Sequence, residues 1–308
     1  MTYDLIIIGG GPAGITAGIY ATRQKLNTLL ITKDFGGQMG RKALSIENYP
    51  GFEEISGPEL IKRFERHLRK QKIDIERDKV TKIKKVDSKF FVFTESKNKF
   101  EARAVIVASG ADPRPLEVPG EKEFIGRGVS YCTVCDGPLF ADKTVAVIGG
   151  GNSGFEAAIY LSKIAKKVYI LEYAPKVAAD KVNQERVKEI KNIQVITNAA
   201  LQKIQGKKFV DSIVYKERET QKEKVLKVEG VFIEIGSQPA TSFIKGLVDF
   251  NEKDEIKINH KTCETNVEGL FAAGDITDVP LKQIVVAAGA GAKAAFSAYK
   301  YLQKFEQK

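Results

Sequence analysis

Two glycine-rich turns of one design constrain this chain more than any other feature: Gly9-Gly-Gly11-Pro12-Ala13-Gly14 and Gly149-Gly-Gly151-Asn152-Ser153-Gly154. Each follows a short apolar run, Leu5 to Ile8 and Thr144 to Ile148. Each precedes a stretch with helical character, Ile15 to Arg23 and Phe155 to about Ile164. Such a motif is weak by itself and strong between a strand and a helix. The first glycine permits a tight turn and the second lets the backbone approach a pyrophosphate. The third lets the helix pack close to its strand, with the anion at the helix N-terminus. The fold class expected is therefore α/β, with two Rossmann-like three-layer nucleotide-binding domains.

One nucleotide needs one cradle. The economical reading of two is a tightly held flavin dinucleotide plus an exchangeable nicotinamide dinucleotide; the plain alternative is a vestigial second unit. Between the turns lies Tyr131-Cys132-Thr-Val-Cys135-Asp136. A Cys-x-x-Cys holds two sulfurs within bonding reach, and thiol–disulfide exchange needs one of them as a thiolate. Half of a zinc site would need a second Cys or His pair. Cys263, His67 and His260 do not supply that spacing, so no metal is expected.

Composition narrows the class further. With 308 residues, 43% of them hydrophobic, the chain can build two domains with proper cores. No run approaches the ~18 apolar residues of a membrane span, because Lys293 interrupts the Ala-rich stretch after Ile284. Asp4 stands where a signal peptide would be basic. Three cysteines, two of them in a Cys-x-x-Cys, suit a reducing compartment, so a cytoplasmic protein without membrane attachment is expected. The net charge is +10, but lysines alternate with glutamates along Glu59 to Lys79 and Lys203 to Lys227, which reads as solvated surface. No dense basic stripe with interleaved aromatics marks a nucleic-acid site.

Prolines at 113, 115 and 119 and the run Gly236-Ser-Gln-Pro239 mark two linkers. They divide 1–112 and 240–308 from 113–239. Within the first part, Lys79 to Phe100 reads as an antiparallel meander ahead of a buried strand, Ala104 to Ala108. Gly57 to Gln71 reads as an amphipathic helix, and Ile284 to Tyr301 as a terminal one. In the second part, Val210 to Tyr215 and Lys224 to Val228 read as a hairpin. Cys263 is expected to be an ordinary small residue.

Cys132-Thr-Val-Cys135-Asp136, shortly before a second glycine turn, resembles the low-molecular-weight thioredoxin reductases. The resemblance runs through Gly36-Gly37-Gln38, Glu47-Asn48-Tyr-Pro50, Val107-Ala-Ser109-Gly110, Ala272-Ala-Gly274-Asp275 and Lys282-Gln283-Ile284. It implies a homodimer whose FAD domain is made of both chain ends and whose NAD(P) domain, with the redox pair, is inserted between them. The glutathione-reductase branch places its dithiol soon after the first turn, and no cysteine precedes position 132 here. The resemblance also implies that Cys135 meets the flavin, Cys132 attacks the partner's disulfide and Asp136 shuttles protons; a turn or capping carboxylate is the plain alternative for Asp136. The flavin contacts it implies are Thr32, Lys33, Gly36, Gly37, Gln38, Asn48, Ser109, Gly110, Gly274, Asp275, Lys282, Gln283 and Ile284. Because the cysteines share a domain with the nicotinamide site, and both donors need near contact with one ring, rotation of the inserted domain on its linkers is implied too.

One stretch departs from that family. NADPH-linked members carry a His-Arg-Arg run where this chain has Leu171-Glu172-Tyr173-Ala174. Glu172 stands where a carboxylate accepts hydrogen bonds from ribose hydroxyls and repels an added phosphate, so NADH is the preferred donor over NADPH. An exposed strand-end carboxylate, with Lys176 and Lys181 serving NADPH, is the alternative, and so is a non-nicotinamide donor. Glu172-Tyr-Ala-Pro175 and Ala179-Asp-Lys-Val182 also resemble the NADH-linked flavoprotein of alkyl hydroperoxide reductase. That protein has an extra thioredoxin-like N-terminal region. This chain starts at the flavin turn, so the acceptor is expected to be a separate thioredoxin-like or glutaredoxin-like protein, or a peroxiredoxin-system partner.

Overall fold

The computed structural model describes residues 2–42 and 46–306. The chain opens with β1 (Thr2–Gly10), α1 (Pro12–Arg23), β2 (Thr28–Phe35), α2 (Gly37–Lys42), α3 (Gly57–Arg69), β3 (Asp74–Glu76), β4 (Val80–Val86), β5 (Lys89–Thr94), β6 (Lys99–Val107) and β7 (Ala111–Pro113). Its middle carries β8 (Val129–Ser130), α4 (Thr133–Asp136), β9 (Thr144–Ile148), α5 (Asn152–Leu161), β10 (Lys167–Leu171) and α6 (Lys181–Glu189). Next come β11 (Ile193–Ile196), β12 (Ala199–Gly206), β13 (Val210–Glu217), β14 (Glu223–Lys227) and β15 (Gly230–Ile233). It ends with β16 (Ser237–Pro239), β17 (Leu270–Ala272) and α7 (Ile284–Glu306). The residues divide into two compact units, Met1–Asp112 with Gln238–Lys308, and Pro113–Ser237. The two crossings, β7 and β16, pair with each other in a sheet of their own.

In the first unit the sheet runs β3-β2-β1-β6-β5-β4, with β17 also on β6. β1 lies parallel to β2 and β6, while β4, β5 and β6 are antiparallel. The unbroken apolar run at Leu5 to Ile8 is what a strand covered on both faces requires. Leu5 and Ile7 face α1 and the alanines of α7, with Ala294 and Ala298 fully buried. Ile6 and Ile8 face the other way, into Ile83, Phe90 and Val92 of the meander. The meander's last strand and the expected buried strand are one continuous β6. Its alternating first half serves the meander, and its apolar second half serves the parallel sheet.

The second unit repeats the plan. Its parallel sheet is β11-β10-β9-β15-β8, beside an antiparallel β12-β13-β14 sheet. Val145 and Val147 face α5 and α6, where Phe155 and Val187 are buried. Ala146 and Ile148 face Ile204, Ile213 and Tyr215 of the antiparallel layer. The expected hairpin is present with one more strand, β12. That strand alternates poorly and carries one fully buried apolar side chain, Ile204, near its end. Both units are therefore three-layered α/β, with parallel sheets at their centres. Among the described residues, no helix is long and apolar enough to cross a membrane.

Candidate active site

Both glycine turns have the same anatomy. Gly9 and Gly149 hold φ of +117° and +121°, which only glycine adopts easily. A Cβ on Gly9 would run into the Ala108 carbonyl, and one on Gly149 into that of Glu234. On Gly14 and Gly154 it would overlap the carbonyls of Gly9 and Gly149, so here the helix lies directly on the turn. Gly11 and Gly151 differ: a Cβ at either meets no protein atom within 4 Å, and φ is ordinary at −83° and −85°. Protein packing does not ask for glycine at these two positions, whereas close approach of a pyrophosphate does. They are also the N-caps of α1 and α5, with no capping side chain and no acidic residue in the first turn of either helix. Pro12 opens α1, where its missing N–H costs nothing. The residues fit two dinucleotides, each helix end offering its N–H groups and dipole to an anion.

Around the first turn the structure assembles residues that are far apart in sequence. Gly36 N–H donates to the Gly10 carbonyl at 2.9 Å, folding the Gly36-Gly37 loop back onto the turn. Thr32 Oγ1 donates to the Asp34 carbonyl at 2.6 Å, and Lys33 points to solvent. Gln38 Nε2 reaches Asp275 Oδ2 at 3.3 Å, and Asn48 Nδ2 reaches Gln283 Oε1 at 3.1 Å. Burial pushes the Asp275 carboxyl up, with the Lys282 charge opposing. Lys282 Nζ donates to the carbonyls of Asp275 and Thr277, both at 2.8 Å, and pairs with Glu255 at 2.7 Å. Its ammonium therefore ties down the loop ahead of α7, which starts at Ile284. Ser109 Oγ donates to the Ala240 carbonyl at 3.1 Å, Gly110 turns the chain at φ +67°, and Gly274 lies against Ala13.

In the second unit Cys132 and Cys135 form a disulfide, with Cα atoms 5.3 Å apart. Cys132 caps α4, its sulfur accepting from Cys135 N–H at 3.2 Å. The segment is held by hydroxyls that sequence reasoning did not single out. Ser130 Oγ donates to Asp136 Oδ2 at 2.6 Å, and Thr133 Oγ1 to Glu234 Oε1 at 3.3 Å. The Tyr131 hydroxyl donates to Glu121, which is 1% exposed and also accepts N–H groups of Leu116 and Glu117 at 2.8 and 2.6 Å. Burial, then that carboxylate, pushes the Tyr131 phenol far above its ordinary range.

Glu172 ends β10 beside the second turn. Its Oε2 accepts from Gly150 N–H at 2.6 Å and its Oε1 from Ala174 N–H at 2.7 Å, so the carboxylate is fixed by backbone. The loop beyond folds onto the turn. Ala178 and Ala179 N–H donate to the Gly150 carbonyl, and Asn152 and Asp180 exchange two hydrogen bonds of 2.7 Å. Ser153 is exposed in the first turn of α5. Tyr173, 61% exposed, carries the Arg218 guanidinium 4.0 Å over its ring. Arg218, 45 residues away, has no signal in the sequence.

These geometries are matched by kinship. The family described as pyridine nucleotide-disulphide oxidoreductase covers residues 3–291. The chain belongs to it. Within that family it is 42% identical over 301 residues to the F subunit of alkyl hydroperoxide reductase from Staphylococcus epidermidis, across 97% of this chain and 59% of the relative. It is 42% identical over 302 residues to an NADH dehydrogenase of Bacillus subtilis, across 97% of this chain and 58% of that one. The chain thus spans under two thirds of the curated relatives it matches. Lactococcus lactis thioredoxin reductase superposes with a TM-score of 0.91 at 38% identity, covering 98% of this chain and 99% of the other. The chain is accordingly a pyridine nucleotide-disulphide oxidoreductase by family, with the fold of a thioredoxin reductase.

Proposed function

We propose that this chain is an NADH-linked reductase that delivers electrons through FAD and the Cys132–Cys135 disulfide to a thioredoxin-like protein. The observation that carries the reading is a disulfide built into the same unit as the second glycine turn, beside which the Glu172 carboxylate is fixed by Gly150 N–H. Bound at the first turn, FAD supplies a two-electron carrier able to accept a hydride from a pyridine nucleotide and to reduce a disulfide.

The chain's own residues do the rest. Gly11, Pro12, Ala13 and Gly14 present the end of α1 to the FAD pyrophosphate, with Gly36, Gly37, Gln38 and Asp275 nearby. Gly151, Asn152, Ser153 and Gly154 present α5 to NADH in the same way. Glu172, already oriented by Gly150 and Ala174, has lone pairs left for ribose hydroxyls and a charge that opposes a 2′-phosphate. In this reading Cys135 is the sulfur that meets the flavin, Cys132 attacks the acceptor's disulfide, and Asp136 holds and returns the proton. The protein works as a homodimer in a reducing compartment.

The kinship to the alkyl hydroperoxide reductase component favours a second acceptor class, a peroxiredoxin system. Anaerobic reduction of the yellow protein by NADH or NADPH, followed by turnover with purified thioredoxin-like, glutaredoxin-like and peroxiredoxin acceptors, tests both parts. A higher kcat/KM for NADPH overturns the donor assignment. Cys135→Ser is expected to keep flavin reduction and abolish disulfide turnover; persistent turnover overturns the sulfur roles.

A further inference from the structure

Cys132 is flanked by three hydroxyl side chains, Ser130, Tyr131 and Thr133, and each donates to a carboxylate. Tyr131 and Thr133 reach out of the redox turn, to Glu121 and Glu234, and moor it. Ser130 reaches back into the turn, to Asp136. Ser130 ends β8 and is 5% exposed. Its Oγ accepts the Cys132 N–H at 2.9 Å, so that side of the hydroxyl is taken. The hydroxyl hydrogen then has two acceptors, Asp136 Oδ2 at 2.6 Å and the Cys132 carbonyl at 3.3 Å. The shorter contact, to a carboxylate, is the stronger.

We propose that Ser130 is a positioning residue for the disulfide chemistry. By anchoring Asp136 through Oδ2, it leaves Oδ1 as the oxygen that carries the proton exchanged with the sulfurs. The inference rests on the reading of Asp136 as the proton carrier. When dithiothreitol opens the disulfide, one of its thiolates attacks a cysteine sulfur and the S–S bond breaks. The departing cysteine thiolate takes a proton that Asp136 Oδ1 relays from water. The second dithiothreitol thiol then displaces the remaining sulfur. The products are two protein thiols, cyclic oxidised dithiothreitol and the hydroxide left by that water, with the Asp136 carboxylate unchanged.

The test uses the full chain loaded with FAD and measures opening of Cys132–Cys135 by dithiothreitol, quenched by iodoacetamide and counted by mass, with no nicotinamide present. Ser130→Ala is expected to slow opening about tenfold, the scale of one lost hydrogen bond to a charged group. Ser130→Thr is expected to stay within about twofold of the parent. In an Asp136→Asn background, Ser130→Ala is expected to add nothing, because it acts through the carboxylate. Multiplying effects in the double variant, or an unchanged rate in Ser130→Ala, overturns the role of Ser130. An unchanged rate in Asp136→Asn overturns instead the reading of Asp136, and this inference with it. Should Ser130→Ala lose its flavin, Ser130→Thr against the isosteric Ser130→Val makes the same comparison.

Discussion

Alanine at Gly11 and at Gly14 is expected to separate what the fold needs from what the cofactor needs. At Gly11 the backbone is extended, φ −83° and ψ −176°, and an added Cβ has open space around it. Alanine there is expected to leave the flavin-free protein as stable as before or about 0.4–1 kcal/mol more so, by restricting the unfolded chain. The same methyl stands between the end of α1 and a pyrophosphate. Losing two hydrogen bonds to a charged group, about 1.5–3 kcal/mol each, weakens FAD binding roughly 10²–10⁴-fold. At Gly14 the methyl collides with the Gly9 carbonyl, which is backbone and cannot rotate away. Overpacking of that kind costs about 1–3 kcal/mol or more, against about 1 kcal/mol of helix propensity regained. Each kcal/mol lost lowers Tm by about 2–4 °C for a domain of this size. Thermal unfolding after flavin removal, with FAD titration followed by fluorescence, reads both quantities. A Gly11→Ala protein that holds FAD as tightly as the parent refutes the pyrophosphate argument. One destabilised as much as Gly14→Ala refutes the packing argument.

Three further outcomes are expected. Burial opposes ionisation of Glu255, but hydrogen bonds from Lys282 and Asn251 outweigh it and hold the carboxyl below its ordinary value. A lowered carboxyl stabilises the fold above its unfolded pKa of about 4.3, and that contribution disappears as pH falls through the folded value. Glu255→Gln should therefore flatten the loss of stability below about pH 4.3 in urea titrations, and an unchanged acid limb would count against the pairing. Cys263 is fully buried, and burial pushes its thiol up. Iodoacetamide should leave it unlabelled in the folded, oxidised protein and modify it only after denaturation. Tyr131→Phe strips a hydroxyl from the buried Glu121 carboxylate and should cost about 1–3 kcal/mol in urea unfolding; a neutral result would mean that Glu121 finds another donor.

The parts of the fold and site legible in the chain are those set by neighbours in sequence. A glycine turn between a strand and a helix depends on about a dozen consecutive residues. Both turns, the α/β class and the disulfide between Cys132 and Cys135 were therefore readable from spacing. Glu172 was readable by its distance from the second turn, because one βαβ unit brings it back beside Gly150. The meander and β6 blurred together, since a strand that leaves one layer for another changes its pattern part-way. α6 and β12 carry little apolar pattern because each buries only one or two side chains.

Which side chains meet across strand order was settled by how the sheets close. β15 lies beside both β8 and β9, and that placement brings Glu234 to Thr133, 101 residues away, and its carbonyl to Gly149. The fold of the first unit brings Gln38 to Asp275 across 237 residues. Even Ser130 and Asp136, six residues apart, are joined by the bend of the chain from β8 into α4 rather than by any periodicity. Local spacing encodes turns because backbone geometry repeats over a few residues. Contacts between strands depend on the order in which a sheet closes, and no short stretch of sequence carries that order.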